Sequence, residues 1–455
     1  MFCPVAVIGA GPAGLFAAYR LARNLRSDQP IVLIDKGLRA DDRSCPAIAG
    51  RCINCADCAM ISGAGGAGLF SDGKMTMDLG SGGHLAELLS QGKQETLKCR
   101  VQETIKEFRY DCVHREPRPP DRLTDSLRSS GLRLRTSEIN HFGSKNLQVL
   151  TEDMVGSLRE EGVRTLFGSK VVRIQKDEGT GRWSVEVHNQ NGLFVVDAKY
   201  VILAVGKEGN PWLTKLLEGL GGGTVDNNAY VGVRMEFSSQ AGKRFDQLGR
   251  DPRVSLKTGS KEIKTHCFCR YGQVLLLKYS GLPLAGGHSR HIEIDNRFRT
   301  EEFPTSNFAV LYRAKSWNWD TVSNLLECIN RAAQGRLLIQ RLGDFRSDTP
   351  TSARAVQKGT VQPSNPNTVL SRIPHQLIPG FRSMFLDFIQ RLSKTIPELD
   401  FDDNLLYAPA SEWWMSKVEV DPHFETKGVR NLFAVGDGSG WTQGIVQAAA
   451  TGLLA

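Results

Sequence analysis

A chain that reads Val5-Ala6-Val7-Ile8-Gly9-Ala10-Gly11-Pro12-Ala13-Gly14 has few folds open to it. The four apolar residues make a short buried strand, and three glycines follow it at the spacing G-x-G-x-x-G. Residues 15–25 carry apolar side chains at helical spacing, and Ile31-Val32-Leu33-Ile34 is a second buried strand ending in Asp35. Strand, glycine turn, helix and strand in this order predict a parallel βαβ unit wrapped around a dinucleotide. Gly9 permits the tight turn out of the strand, Gly11 lets a pyrophosphate approach the backbone, and Gly14 lets helix and strand pack closely. Pro12 sits in the first helical turn, where its missing donor costs little. Pro12 and Ala13 open a helix whose free N–H groups and partial positive charge suit phosphates. Asp35, with Lys36 beside it, is placed to accept hydrogen bonds from a ribose. The competing reading is a glycine-rich βαβ core with no ligand.

With 455 residues and 40% hydrophobic content, the chain can build two or three domains. No apolar run is long enough to span a membrane. The apolar start lacks a basic leader and its glycines belong to the fingerprint, so it is not read as a signal peptide. The C-terminal 448–455 stretch reads as helix with no stop signal, so a few residues are expected beyond it. The net charge is +8, with Arg122, Arg128, Arg133 and Arg135 close together. That surplus suits a solvated surface or an anionic small substrate; no nucleic-acid motif accompanies it. Ten cysteines without a secretory leader point to a reducing, cytoplasmic setting and free thiols.

A second glycine-rich string, Gly63-Ala64-Gly65-Gly66-Ala67-Gly68-Leu69-Phe70-Ser71-Asp72-Gly73-Lys74, follows so soon that its backbone is expected against the same ligand. Gly65, Gly66, Ser71 and Lys74 are its candidate contacts, with Lys74 reaching a phosphate or the polar edge of a flavin; the alternative is an ordinary flexible loop. Residues 84–109 and 147–161 read as helices, and 115–120, with three prolines, as a connector. The pattern then switches to strands at 171–174, 183–187 and 193–196, a meander that opens at Val171. A separate apolar strand, 200–206, ends in Ala204-Val205-Gly206. Residues 210–217 read as a short helix. From about 225 to 410, strands at 230–237, 273–278 and 308–312 alternate with helices at 321–333 and 381–396. The polar, proline-rich stretch 348–379 reads as an extended loop over a cleft. Near the end, Asn431-Leu432-Phe433-Ala434-Val435-Gly436-Asp437-Gly438-Ser439-Gly440 is a strand entering a glycine turn, and Trp441 to Ala449, through Gly444 and Ile445, opens a helix.

The first βαβ unit, the Ala204-Val205-Gly206 ending and the Gly436-Asp437 turn occur in the order seen in two-dinucleotide-binding flavoproteins. The chain resembles the glutathione-reductase-like FAD superfamily. More closely it resembles the poorly characterised NAD(FAD)-utilising dehydrogenase family. The closer match rests on Cys52-Ile53-Asn54-Cys55-Ala56-Asp57-Cys58, Gly65 to Lys74, Ala204-Val205-Gly206-Lys207, Phe268-Cys269 and Gly436 to Gly440. The resemblance implies FAD, with Asp437 on the ribityl chain and the last helix facing the pyrimidine edge of the ring. NAD(P)H is implied only as a transient electron donor, since no second nucleotide motif is present. It implies a discontinuous Rossmann-like FAD-binding α/β domain of parallel sheet plus meander (1–75, 150–222 and 415–455). A helical and connector insertion (76–149) and a mixed α/β substrate domain (223–414) complete the expected organisation. The family's Cys-Pro-Gly-Gly stands here as Cys269-Arg270-Tyr271-Gly272, and its Glu-x-Arg-x-Ser as Glu412-Trp413-Trp414-Met415-Ser416. Both strings are expected at the substrate cavity and imply a specialised substrate.

The expected function is an FAD-dependent oxidoreductase that moves a hydride between a small organic substrate and flavin N5. His266 and Glu412 are the candidate acid–base residues; the plain alternatives are a core histidine and a capped surface glutamate. Trp413, Trp414 and Trp441 either wall the pocket or pack the core. Cys45, Cys52, Cys55 and Cys58 form a C-x2-C-x2-C core with a thiol upstream. They are open to an iron–sulfur or zinc site, a redox dithiol, or plain structural thiols. A flavin monooxygenase or halogenase is a second reading, although Trp317-Asn318-Trp319 lacks the Ile-Pro of the halogenase motif. An RNA-modifying flavoprotein is a third, which strongly salt-dependent RNA binding would reveal. The substrate and the oligomeric state are not legible.

Overall fold

The structure, a computed structural model, describes residues 2–25, 30–49, 52–53, 55–71, 73–80, 82–108, 110, 119–227, 229–279, 281–289, 291–294, 297–300, 303–314, 319–375, 378–412 and 415–455. Trp413, Trp414, Asp72, Trp317, Asn318 and residues 115–118 of the expected connector lie outside these.

Two sheets organise the chain. In the first, β1 (Phe2–Ile8) and β2 (Ile31–Ile34) run parallel, Val5 opposite Ile31, with α1 (Pro12–Asn24) between them. Every residue of β2 is buried, as befits a parallel strand covered on both faces. The sheet continues in the order Arg164–Leu166, β2, β1, Gly192–Leu203, Trp183–Asn189, Lys170–Lys176, and Leu432–Ala434 pairs with Gly192–Leu203. The sequence suggests two strands near 193–206; they are one. The first half of Gly192–Leu203 is antiparallel to Trp183–Asn189, and the second half is parallel to β1 and to Leu432–Ala434. Asp197-Ala198-Lys199 contains no glycine or proline, and Val196 and Ala198 are both fully buried, so pairing passes through without a break. The following helix spans Gly206–Leu220 and starts at Gly206 itself.

Helix α1 packs against the last helix, Ile445–Leu454, at backbone distance. A Cβ on Gly452 would lie 2.0 Å from the Ala13 carbonyl oxygen, and one on Gly436 would lie 2.8 Å from Ala13 Cβ. Arg20 Nη1 donates to the Leu453 carbonyl at 2.7 Å. Only small residues allow this approach. The expected 84–109 helix is two, Leu85–Leu88 and Gln91–Glu107, broken where Ser90 caps the second.

The second sheet has the order Thr368–Leu370, Leu337–Arg341, Leu405–Glu412, Tyr230–Ser238, Thr305–Arg313, Lys261–Cys269, Arg253–Thr258, Arg133–Arg135. It is antiparallel except for its first pair. Helix Phe381–Ser393 buries Phe381, Met384, Phe385, Phe388, Ile389 and Leu392, a 3.6-residue stripe, in the core of this sheet. The 348–379 stretch is not one extended loop. It holds a helix, Ala353–Lys358, and the edge strand Thr368–Leu370, and none of its described residues lines the main cavity.

Candidate functional site

A cavity of about 840 Å3 runs from the glycine turn after β1 to the inner face of the second sheet. This is near the upper end of the ~300–1,000 Å3 usual for ligand sites. Its first end is backbone. Gly9 has φ +106, and a Cβ there would lie 2.2 Å from the Ala204 carbonyl oxygen. A Cβ on Gly14 would lie 1.8 Å from the Gly9 carbonyl oxygen, so Gly14 closes the unit and does not line the cavity. Gly11 differs: a Cβ there meets only Gly66 Cα, at 3.7 Å, an ordinary contact. A side chain at Gly11 would fit the fold and take up cavity space.

The second glycine loop is bolted to the first. Gly65 N–H donates to the Ala10 carbonyl at 2.8 Å, and its φ of +79 explains the glycine. Gly65 therefore positions the loop, while Gly66 lines the cavity. Arg43 holds the loop from behind, 6% exposed, donating to the carbonyls of Ala59, Ala64 and Gly66. Burial lowers its guanidinium to about 10. No periodic signal marks Arg43 in the sequence. The Asp35 carboxylate accepts from Ala10 N–H at 2.7 Å and Gly37 N–H at 2.8 Å, which leaves each oxygen a lone pair for a ribose. Lys36 is ion-paired with Glu208 and, at 3.3 Å, with Asp57.

The middle of the cavity is lined by Val171, Ala204 and Gly206, and further along by Gly436, Asp437, Gly444 and Ile445. Asp437 accepts from Thr442 Oγ1 at 2.7 Å and from Gly444 N–H, and Lys207 Nζ lies 3.8 Å away. Burial raises its carboxyl against the pull of Lys207. Trp441 belongs to this turn; the helix begins at Ile445. Ser71 also lines the cavity, its hydroxyl donating to the Gly68 carbonyl at 2.7 Å.

The far end carries the titratable groups. Lys264 and His266 are two residues apart on one strand and so share a face. Ala309 lies opposite His266, and Arg234 opposite Ala309. Glu412 ends the strand on the other side of Tyr230–Ser238. The two candidate residues, far apart in sequence, meet here: His266 Nδ1 is 3.6 Å from Glu412 Oε1, and Lys264 Nζ is 2.5 Å from Glu412 Oε2. The alternative of Glu412 as a capped surface glutamate fails, since it is 2% exposed. Burial alone would raise the Glu412 carboxyl; the protonated form of His266, together with Lys264 and Arg253, holds it well below the usual carboxylate range, and once His266 is neutral the pull comes from Lys264 and Arg253. Burial pushes the His266 imidazole below its ordinary value, against the pull of Glu412. Near neutrality the pair is therefore a carboxylate beside a neutral imidazole.

Lys74 is placed at this end, not at the phosphate end, its Nζ donating to the Phe268 carbonyl. Cys267 and Cys269 line the same wall, with Asp251 accepting from Phe268 N–H at 2.6 Å. Arg270, Tyr271 and Gly272 do not reach the cavity, nor do Met415 and Ser416; among the described residues of the two expected substrate strings, Cys269 and Glu412 line it. Lys264, Arg234, Arg253, Asp251 and Cys267 were not legible as site residues. The alternation Lys264-Thr265-His266, with Thr265 buried on the opposite face, is the signal that would have found Lys264. Cys45, Cys52 and Cys58 lie against Ala47, Met60, Ile61 and Leu275. Among the described residues no group of three or more His, Cys, Asp or Glu is arranged to hold a metal ion.

The residues at the glycine end fit a dinucleotide: two interlocked glycine loops, an open Gly11, a fixed acid at Asp35 and two helix N-termini on one cavity. No helix among the described residues is long and apolar enough to cross a membrane. No protein-family model matches the chain, and no curated protein matches it. Among solved structures it is similar to a flavoprotein/dehydrogenase from Cytophaga hutchinsonii, 11% identical over 100% of this chain and 75% of that one, with a TM-score of 0.38. It is similar to pyridoxine 4-oxidase from Mesorbium loti, 14% identical over 99% and 97%, with a TM-score of 0.46. It is also similar to glycine oxidase from Geobacillus kaustophilus, 11% identical over 100% and 93%, with a TM-score of 0.39.

Proposed function

We propose that this protein is an FAD-dependent oxidoreductase acting on a small organic substrate. The observation that carries the reading is the continuity of one cavity from the glycine cradle at Gly9, Gly11 and Gly66 to the His266–Glu412 pair. The residues that would hold FAD are Gly11 and the α1 N-terminus for the pyrophosphate, Asp35 for the ribose, and Gly436, Asp437, Gly444 and Ile445 further along. When bound, the flavin supplies a two-electron acceptor that a protein side chain does not provide.

The chain's own part is positional and acid–base. His266, neutral near pH 7, takes a proton from the substrate, and Glu412 faces its Nδ1 so that the resulting imidazolium is stabilised. Lys264 is ion-paired with Glu412 and favours its carboxylate form. Arg234, Arg253 and Lys74 outnumber Asp251 and Glu412 at this end of the cavity, a small basic excess that favours an anionic substrate. NAD(P)H enters this reading only as a transient donor. The strings Gly65 to Lys74 and Phe268-Cys269 support placement in the NAD(FAD)-utilising dehydrogenase family. The cysteine-rich composition supports a reducing, cytoplasmic compartment.

The test is an absorbance spectrum of the purified protein, recorded without oxygen and then with NADPH. Flavin bands are expected. Their bleaching by NADPH would make it a nicotinamide-linked reductase, and bands untouched by NADPH would make the organic substrate the electron donor. A protein that takes up no flavin after reconstitution would overturn the reading.

A further inference from the structure

We propose that Cys267 and Cys269 form a redox-active dithiol on the cavity wall, with Cys267 the attacking thiolate and Cys269 the resolving thiol toward small acidic disulfides. The proposal goes beyond the oxidoreductase reading and leans on it only for the electrons that return the pair to its thiol form.

The backbone is the first observation. In a regular strand Cys267 would face away from its neighbour His266. Here the pairing with Thr305–Arg313 slips between His266 and Cys269, a bulge, and Cys267 takes a left-handed φ of +52. Cysteine has no intrinsic preference for that region, and such backbone is held in place by its surroundings. The result is that His266, Cys267 and Cys269 all line the cavity. Cys267 is partly exposed to it, whereas Cys269 is 1% exposed. An accessible sulfur in front of a buried one is the arrangement that attack followed by resolution needs.

The second observation is how the pair is held. Cys269 Sγ lies 3.6 Å from the Cys267 carbonyl oxygen, to which it donates. Arg234 Nη1 donates to the same carbonyl at 3.3 Å, and Lys74 Nζ donates to the Phe268 carbonyl. Two cations thus bracket the two thiols, and both reach carbonyl groups of the Cys-Phe-Cys segment. The Asp251 carboxylate opposes them, and Glu412 faces the neighbouring His266. Cys269, with Lys74 and Arg234 behind it, holds the Cys267 thiol well below its ordinary value against burial. Cys267 and burial push the Cys269 thiol well above it. The pair is asymmetric, with Cys267 the more acidic thiol and Cys269 the less acidic.

The chemistry balances as thiol–disulfide exchange. The Cys267 thiolate attacks one sulfur of a disulfide R–S–S–R′, forming a mixed disulfide and releasing R′–S⁻. That thiolate takes the proton of Cys269. Cys269 sulfur then attacks Cys267 sulfur, closing the Cys267–Cys269 bond and releasing R–S⁻. The protein pair is oxidised by two electrons and the small disulfide is reduced to two thiols. Return to the dithiol takes up two electrons and two protons, which the reduced flavin of the proposed cofactor carries.

The test uses the full chain, as purified and after flavin removal, equilibrated in mixtures of reduced and oxidised glutathione, then quenched in acid and alkylated. Trypsin cuts after Lys264 and Arg270, so residues 265–270 form one peptide that holds both cysteines. The expected result is one transition from the doubly alkylated peptide to an unalkylated peptide lighter than the dithiol by two hydrogen atoms. Cys269→Ser is expected to trap glutathione on Cys267. At pH 7 Cys267 is expected to react with iodoacetamide at least about tenfold faster than exposed Cys99. A peptide that stays reduced throughout, or that carries two glutathiones, overturns the dithiol; a Cys267 slower than Cys99 overturns its role as attacking thiolate. The peptide readout needs no flavin. A protein that never binds flavin but whose peptide switches would overturn the proposed cofactor and leave the dithiol standing.

Discussion

Gly11 and Gly14 are three residues apart and are expected to answer the same substitution in opposite ways. Gly11→Val has room in the fold, since its Cβ meets only Gly66 Cα at 3.7 Å, but it fills the place of a ligand. The variant should fold with a melting temperature near that of the ligand-free wild type and purify without flavin; a yellow Gly11→Val would sink the pyrophosphate assignment. Gly14→Val drives a side chain into the Gly9 carbonyl, 1.8 Å from its Cβ, at a cost of about 3 kcal/mol or more, and should be recovered mostly unfolded. His266 makes a second prediction. Its imidazole is lowered by burial, so the base form persists to more acid pH than for a free histidine. The acidic limb of kcat/KM should therefore fall below about pH 6.5. His266→Asn should abolish that limb and lower kcat/KM on the order of 10²–10⁴-fold. Glu412 raises the His266 value, so Glu412→Gln should move the limb further toward acid; a limb that moves toward alkali would refute the pairing. At this scale the sequence was informative where geometry demands a residue type, as at Gly9, Gly11 and Asp35. It was silent on Arg43, Lys264 and Arg234, because an arginine or lysine spacing looks the same on a solvated face as behind a loop, in an ion pair or on a cavity wall.

Elements were legible where a period of two or 3.6 runs unbroken, as in α1 and in Tyr230–Ser238. What escaped was pairing. Nothing local to 192–203 announces that one strand serves antiparallel partners at its start and parallel ones at its end, because register is set by strands far away in the chain. The same blindness turned 348–379 into a loop, although Thr368–Leu370 completes an edge of the second sheet. The junction strand is anchored by Trp183, fully buried and paired with Ala198. Trp183→Ala should lose about 3–5 kcal/mol in urea denaturation. Ligand binding to the folded fraction should be little changed, because Trp183 does not line the cavity. A loss under 1 kcal/mol would show that the meander contributes little to the sheet.

At the scale of the molecule, the cavity is walled by both sheets, and a ligand that touches both stabilises their association. Saturating FAD should move the thermal transition upward, by the equivalent of about 2.7 kcal/mol at a hundredfold excess over Kd. A scan unmoved by that excess would refute the site. The cradle is also assembled from segments far apart in the chain. Arg20 meets Leu453 across 433 residues, and Ala13 is wedged between Gly436 and Gly452. During synthesis the glycine turn emerges well before the helix that closes it. At roughly 5–20 residues per second, 433 residues separate them by about 20 to 90 seconds. Throughout that interval the nascent chain exposes an apolar half-site with nothing to close it. The complete cradle therefore exists only once residues 436–452 have been made and packed against Ala13.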